Sequence, residues 1–278
     1  MKSMQCAVEK FVKAKENGLC LIDMPTGAGK TYLTRKIIGE FIRGEILDNV
    51  KTIIYLTPQK KNIDDIFNDV KKDFYDNDSL FYSNVLRIYA NYENVLEKFL
   101  CLYDQMPLSI QKRQSCRDLK KQIELYKDLE QRNIPKDILD STLAEIRKHY
   151  EVAFRRDLSE ELSKIARTKR EKKAKLNDKE YKWVKELYPA CLTEDRKVLF
   201  MTVDKFVSGN DPIISKSYRF ISHSKTKNAL IFIDEFDATK DVLLNQEIQN
   251  CTDYKMDLIK LFSSISNTLK GTEFPLSI

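Results

Sequence analysis

The stretch LCLIDMPTGAGKTY, residues 19–32, places two glycines around one alanine, directly before a lysine and a threonine, in a chain with seven glycines among 278 residues. An apolar run precedes these glycines and apolar residues at helical spacing follow them, which predicts a buried strand, a loop and a helix. Gly27 and Gly29 let successive backbone N–H groups turn inward around an anion, where side chains would obstruct them. The following helix directs its positive N-terminal end at the same anion. The stretch therefore predicts a phosphate-binding loop.

The loop ends as the general phosphate-loop pattern requires, although Met24 stands where that pattern has its first glycine. In such a loop Lys30 reaches the β- and γ-phosphates of ATP and the Thr31 hydroxyl ligates Mg²⁺. ATP and Mg²⁺ are therefore the predicted cofactors. The predicted nucleotide-binding residues of the loop are Thr26, Gly27, Ala28, Gly29, Lys30 and Thr31. A glycine-rich turn before an ordinary helix is the alternative interpretation.

An acidic motif downstream supplies the second half of such a site. In ALIFIDEFD, residues 229–237, Asp234 follows five largely apolar residues of a predicted strand. Its carboxylate is therefore expected at the carboxyl edge of the sheet, where ligands bind. Asp234 is predicted to hold Mg²⁺ through water, and Glu235 to orient or deprotonate the attacking water. Together with Lys30 they form the predicted catalytic set, whereas an Asp-Glu pair alone is usually a solvated helix cap.

Predicted strands and helices alternate on both sides of a long helical segment. The strand patterns are residues 19–24, TIIYLT at 52–57, VLRIYA at 85–90, VLFMT at 198–202 and ALIFID at 229–234. Alternation with helices predicts a parallel sheet covered on both faces. Residues 91–189 show helical spacing instead, with a turn at 133–135, which favours two or three antiparallel helices in a hairpin or short coiled coil. The sequence thus predicts an α/β domain, residues 1–90 and 190–278, interrupted by a helical insertion at 91–189.

Two of these motifs resemble signature motifs of the superfamily-two helicases and translocases. PTGAGKT at residues 25–31 resembles their motif I, and DEFD at 234–237 resembles their motif II, a relative of the DEAD and DEAH boxes. Gln5 lies where many of these proteins place an adenine-reading glutamine. The resemblance covers residues 1–90 and 190–240 and implies a RecA-like fold with MgATP as the nucleotide.

Two further segments resemble the strand-binding motifs of the same superfamily. YLTPQKKN, residues 55–62, resembles motif Ia, whose threonine and following backbone contact a nucleic-acid strand, and FMTVDKF, residues 200–206, resembles a later T-x-x-x-F element on the same face. By this resemblance a nucleic acid is an expected partner; DNA is favoured over RNA, but the sequence leaves that choice open. The predicted contact residues are Thr57, Pro58, Lys60, Lys61 and Thr202, with the lysines adding charge at a helix start. A helix cap or an ordinary strand end is the alternative interpretation for each threonine.

The wording of motifs I and II is similar to that of type III restriction subunits, CRISPR helicases and related antiviral defence ATPases. Motif III and the second RecA-like domain, with its arginine fingers, are absent from these 278 residues. The resemblance therefore implies the first RecA-like half of a helicase-type ATP hydrolase. We expect it to act with a second RecA-like domain in cis or in trans.

Two other functions fit parts of the sequence. A non-hydrolysing nucleotide-binding module could recruit a nuclease or another effector subunit through the helical insertion. A nucleoside kinase could use the same loop, but it is disfavoured because Asp234 and Glu235 form a water-activating pair and no lid arginines are identifiable.

Composition narrows the remaining choices. The net charge of +6 permits a nucleic-acid partner, and most of the excess lies in KIARTKREKKAK, residues 164–175, which is either a nucleic-acid contact or a solvated helix face. His149 and His223 are the two histidines, and the six cysteines form no C-x-x-C pair, which disfavours zinc sites and histidine triads. No apolar run approaches the roughly 20 residues that span a bilayer. We expect a cytoplasmic protein with reduced thiols and no membrane partner.

Overall fold

The computed structural model describes residues 2–13, 18, 20, 22, 28–132 and 134–252. Apart from Cys20 and Ile22, the predicted strand at 19–24 lies outside the described residues, as do the predicted loop residues Thr26 and Gly27. Gln5 lies within the first helix, and its side chain is not among those described.

Four parallel strands form the central sheet, in the order β2-β3-β1-β6. The strands within the described residues are β1 (Thr52–Thr57), β2 (Val85–Ile88), β3 (Val198–Thr202), β4 (Gly209–Asn210), β5 (Tyr218–Arg219) and β6 (Ala229–Ile233). β4 and β5 form a separate antiparallel pair. The four predicted strands from residue 52 onward are thus confirmed, with ends that differ by at most two residues. All of β1 is buried, as expected for a central strand covered on both faces.

Helices account for most of the remaining described residues. They are α1 (Lys2–Lys13), α2 (Lys30–Arg43), α3 (Lys60–Lys72), α4 (Asp78–Asn84), α5 (Asn91–Leu102), α6 (Leu108–Gln111), α7 (Gln114–Gln131), α8 (Lys136–Glu145), α9 (Glu151–Ile165), α10 (Lys169–Lys175), α11 (Lys182–Leu187), α12 (Val203–Val207) and α13 (Phe236–Thr252). A single wide turn, Ile146–Tyr150, joins α8 to α9.

Both faces of the sheet are covered. On one face α2 and α3 bury apolar stripes against the strands: Leu33, Ile37, Ile38 and Phe41 from α2, and Ile63, Ile66, Phe67 and Val70 from α3. On the other face Phe206 of α12 and the buried Phe220 pack against Leu56 and Met201. Each such side chain contributes roughly 1.5–3 kcal/mol when fully buried. The fold is therefore a parallel α/β sheet flanked by helices.

The segment between β2 and β3, residues 91–189, has a hydrophobic cluster of its own. Phe99, Phe154, Trp183 and Tyr188 are fully buried in it. No residue of its described part forms a strand. The helices α8 and α9, which follow α7 in the chain, fold back and pack against it. Because β2 and β3 are neighbours in the sheet, this helical segment fills one crossover connection.

The loop between β4 and β5 reaches into this helical cluster. Ile213 and Ile214 are buried among its side chains, and the Ser159 hydroxyl donates to the Ile213 carbonyl at 3.1 Å. The same loop carries Asp211, which forms an ion pair with Arg155 of α9. This loop between β4 and β5 therefore attaches the helical segment to the part of the chain that follows β3.

Among the described residues, no helix has the length and apolar character needed to cross a membrane.

Candidate functional site

The described end of the predicted phosphate loop is the start of α2. Gly29 is the N-cap residue of this helix and has a φ of 84°, in the left-handed region that favours glycine. The Leu33 N–H donates to its carbonyl at 3.0 Å, which closes the first turn of the helix. Ala28 is partly buried, whereas Lys30 and Thr31 are exposed. The N–H groups of the first helical turn, which lack intrahelical acceptors, are thus next to an exposed lysine and hydroxyl.

The Asp234 carboxylate lies at the carboxyl edge of the sheet, directly after β6. Its backbone N–H donates to the Leu56 carbonyl at 2.9 Å, which continues the pairing with β1. The Tyr55 hydroxyl donates to Asp234 Oδ2 at 2.7 Å, and the Glu235 N–H donates to Oδ1 at 3.1 Å. Both carboxylate oxygens are therefore oriented by hydrogen bonds.

Glu235 has an unusual backbone conformation for a residue with a side chain. Its φ of 52° lies in the left-handed region, and such a conformation costs of order 1 kcal/mol or more. The buried Thr239 stabilises it, because its N–H donates to the Glu235 carbonyl and its hydroxyl to the Asp234 carbonyl. Asn62 Nδ2 donates to Glu235 Oε1 at 3.0 Å. The Glu235 side chain is thereby turned toward the start of α3.

Tyr55 and Asn62 were not among the sequence-predicted site residues. Tyr55 is buried in β1, and burial followed by the hydrogen bond to Asp234 raises the pKa of its hydroxyl well above the ordinary value. The hydroxyl consequently remains a hydrogen-bond donor to the carboxylate. The sequence signal that could have found it was a tyrosine within the otherwise aliphatic interior of TIIYLT. No sequence pattern marked Asn62 as a partner of Glu235.

The two predicted strand-contacting threonines are opposite each other at the carboxyl edge. Thr57 of β1 pairs in register with Thr202 of β3. The Thr202 hydroxyl accepts from the Lys205 N–H at 3.2 Å and caps α12, which is the helix-cap alternative for this residue. The Thr57 hydroxyl is buried and has no hydrogen-bond partner among the described residues. A phosphate contact by Thr57 would require the segment after β1 to move, and both contacts stay predictions.

Lys60 and Lys61 are the first two residues of α3, and both are exposed, whereas Pro58 is partly buried. The Lys60 ammonium lies 4.4 Å from the centre of the Tyr89 ring and 3.4 Å from a Glu93 carboxylate oxygen. No acidic residue occupies the first turn of α3. Two cations at the positive end of a helix are unfavourable by roughly 0.3–1 kcal/mol each, and a bound anion would offset that cost.

The basic run at residues 164–175 is largely neutralised by its neighbours. Its ion pairs are Lys164–Glu161, Lys169–Glu194, Lys173–Asp195 and Lys175–Asp178. Lys172 donates to the Ser163 hydroxyl at 2.7 Å. These contacts hold α10 against the segment that leads into β3. The structure thus gives most of these lysines partners within the chain.

The cysteines and acidic residues form no transition-metal site in the part of the chain that is described. Burial raises the pKa of the Cys116 and Cys191 thiols to about 12. No group of three or more His, Cys, Asp or Glu side chains there has a metal-binding arrangement. The predicted Mg²⁺ ligands, the Thr31 hydroxyl and the Asp234 carboxylate, are oxygen donors, the ligand type that this ion prefers.

Comparison with known proteins yields no match to any protein-family model and none to a curated protein.

Proposed function

We propose that the chain is the first RecA-like half of an ATP-dependent nucleic-acid helicase or translocase, with residues 91–189 as a helical insertion. The observation that carries the proposal is the arrangement of Asp234 and Glu235. The two carboxylates follow β6 at the carboxyl edge of a parallel sheet, where ligands of such sheets bind. Their orientation comes from Tyr55 and Asn62, which begin and end the segment that resembles motif Ia.

The proposal gives each residue of the nucleotide site a role. Lys30 would hold the terminal phosphates, while Thr31 and Asp234 would hold the Mg²⁺ that neutralises charge developing on them. Glu235 would orient the attacking water or accept its proton. Its strained backbone and its hydrogen bond from Asn62 fix the carboxylate for that task. Preorganised groups of this kind stabilise the transition state without reorganising during the reaction.

The same contacts supply a physical route for coupling hydrolysis to movement on a strand. Asn62 is on the first turn of α3, next to Lys61 and close to Thr57 in sequence. A displacement of this segment by a bound strand would change the hydrogen bond from Asn62 to Glu235. Turnover would then depend on the nucleic acid, and on a second RecA-like domain that supplies arginines to the phosphates.

The direct test is the Lys30→Ala variant, with Lys36→Ala on the same helix as its matched control. Lys36 is exposed and pairs with Glu40 one turn away, so it carries a similar charge at a position away from the helix start. We expect Lys30→Ala to weaken ATP binding by about tenfold or more, the effect of about 1.4 kcal/mol. The measurement is a fluorescence titration with a labelled ATP analogue. Equal affinities for the two variants would overturn the phosphate-loop assignment.

A further inference from the structure

A cleft of about 500 Å³ lies between the helical segment and the start of α3. Residues of α5, α7 and α8 line it, and Lys60 forms part of its rim. Its volume falls within the range of small-molecule sites. Apart from Lys60, its lining residues have no part in the nucleotide site or in the predicted phosphate contacts.

Part of the cleft wall is aromatic and apolar, and the rest is charged. Tyr92 and Tyr126 line it, and Leu96 and Leu143 provide further apolar surface. Both tyrosines are partly buried, and burial is the main cause that raises the pKa of each hydroxyl. They therefore stay neutral, and an aromatic ring of this kind can stack on a planar base.

The polar groups of the cleft are unsuited to phosphate. Glu93, Glu97 and Glu130 line it, against the two lysines Lys60 and Lys127. Ionised carboxylates accept hydrogen bonds and donate none. They repel a phosphate but match the exocyclic amino group of a base, as when glutamate accepts from cytosine N4.

The position of Lys60 connects the cleft to the predicted strand track. Its ammonium lies 3.4 Å from the Glu93 carboxylate, and it precedes Lys61 at the positive end of α3. A strand whose phosphates are held by this helix end would have its bases within reach of the cleft mouth. Phosphates would stay at the lysines, while a base could turn inward.

We propose that this cleft binds one unstacked base of the nucleic-acid strand, and that it selects bases with an exocyclic amino group. The inference rests on the proposed function, since it requires a strand at the start of α3. The stacking surface is Tyr126, because Arg147 already lies 5.5 Å from the centre of the Tyr92 ring. The carboxylates Glu97 and Glu130 supply the acceptors.

The experiment compares three single strands of equal length and backbone charge. One contains thymine alone, one alternates thymine with cytosine, and one alternates thymine with N4,N4-dimethylcytosine, which keeps the ring but lacks the amino donors. Fluorescence anisotropy of end-labelled strands gives the affinities. We expect the cytosine strand to bind roughly tenfold tighter than the other two, the discrimination of one well-formed base contact.

Two variants, each with a matched control, test whether the preference for cytosine depends on the cleft. Glu130→Gln should reduce the preference for cytosine, whereas Glu124→Gln should retain it, because Glu124 is on the same helix and faces Lys120. Tyr126→Ala should weaken binding of cytosine-containing strands by about fivefold or more, because the base then has no ring to stack on. Tyr126→Phe keeps the ring and should restore the affinity.

The outcomes separate this inference from the proposed function. If the wild-type chain binds all three strands equally, or if Tyr126→Ala retains the full preference, the base-binding cleft is wrong and the motor assignment is unaffected. If the wild-type chain binds none of the strands, the nucleic-acid partner is overturned, and the cleft proposal with it.

Discussion

The carboxyl edge of the sheet and the helical segment at residues 91–189 differ in the ion pairing of their charged side chains. In and around the helical segment, several charged groups form ion pairs, such as Arg113–Glu161 and Lys169–Glu194. At the sheet edge, Lys61 has no ion-pair partner among the described residues, although it stands at the positive end of a helix. A lysine without an ion-pair partner can interact with a ligand. An unpaired lysine therefore indicates a candidate binding surface better than a high density of lysines in the sequence does.

Backbone strain occurs at the sheet edge and in the β4–β5 loop that packs on the helical segment, with different consequences. Ile213 has a φ of 64°, and its side chain is buried in the helical cluster while its carbonyl accepts from Ser159. Glu235 has a φ of 52°, and its side chain projects to Asn62 at the sheet edge. Packing of the buried side chain explains the backbone conformation of Ile213, whereas side-chain packing does not explain that of Glu235. Strain alone therefore does not mark a functional residue, and the contacts of the side chain decide.

The largest expected effect is on turnover at the sheet edge. Glu235→Gln keeps the shape of the side chain and removes its basicity, so ATP hydrolysis should fall by about 10²–10⁴-fold while MgATP remains bound. Turnover and nucleotide retention are measured with the second RecA-like domain present. Rapid hydrolysis by the 278-residue chain alone would contradict the requirement for that domain. Nucleotide binding without any wild-type turnover would favour the interaction-module alternative.

The next largest effect is on the stability of the junction between the two regions. Arg155 contacts Glu151 at 2.8 Å, with Glu151 only 2% exposed, and it also pairs with Asp211. Arg155→Ala leaves these carboxylates without their cation and should lower the free energy of unfolding by about 3–5 kcal/mol. The neighbouring exposed Arg156→Ala should change it by less than about 0.5 kcal/mol. Urea denaturation checks both, and equal effects would contradict the junction.

A third prediction compares the lysines at the start of α3, where Lys60 pairs with Glu93 but Lys61 has no ion-pair partner among the described residues, with paired lysines of the basic run. Lys60→Ala/Lys61→Ala should weaken single-strand binding and reduce the slope of log K against log salt by about 0.7 for each phosphate that is no longer neutralised. Lys169→Ala/Lys173→Ala removes the same charge from paired positions and should leave that slope unchanged. Titrations at two salt concentrations measure the slopes. The opposite result would move the strand onto the basic run.

The smallest effect concerns Lys205 of α12, whose buried side chain donates to the Gly209 carbonyl at 3.4 Å. Burial is the main cause that lowers its pKa from 10.5 to about 8. Between these values the unfolded chain binds more protons than the folded one, so the free energy of unfolding should rise with pH there. Lys205→Met should flatten that rise and add on the order of 1 kcal/mol of stability at neutral pH. Unfolding measured between pH 7 and pH 10, with Lys36→Met as the exposed control, checks the slope.

Local patterns were sufficient for most of the sheet. TIIYLT and VLFMT coincide with β1 and β3 because uninterrupted apolar runs of this length fit a strand covered on both faces. The turn before Lys136 was also predictable, since Asn133 and Pro135 interrupt the helical spacing. β4 and β5 were missed because strands of two residues carry no periodic signal.

The sequence by itself determined the four strands of the central sheet, the helical character of the segment between β2 and β3, and the residue types at the two ends of the candidate nucleotide site. Those features depend on neighbours within a few positions of the chain. Only the tertiary structure decided that Tyr55 orients Asp234 and Asn62 orients Glu235, since these partners are 179 and 173 positions apart. It likewise decided which lysines are paired and where the cleft lies. The physical reason is that hydrogen bonds and ion pairs depend on distances of a few ångströms, which the folding of remote segments creates and no local pattern encodes.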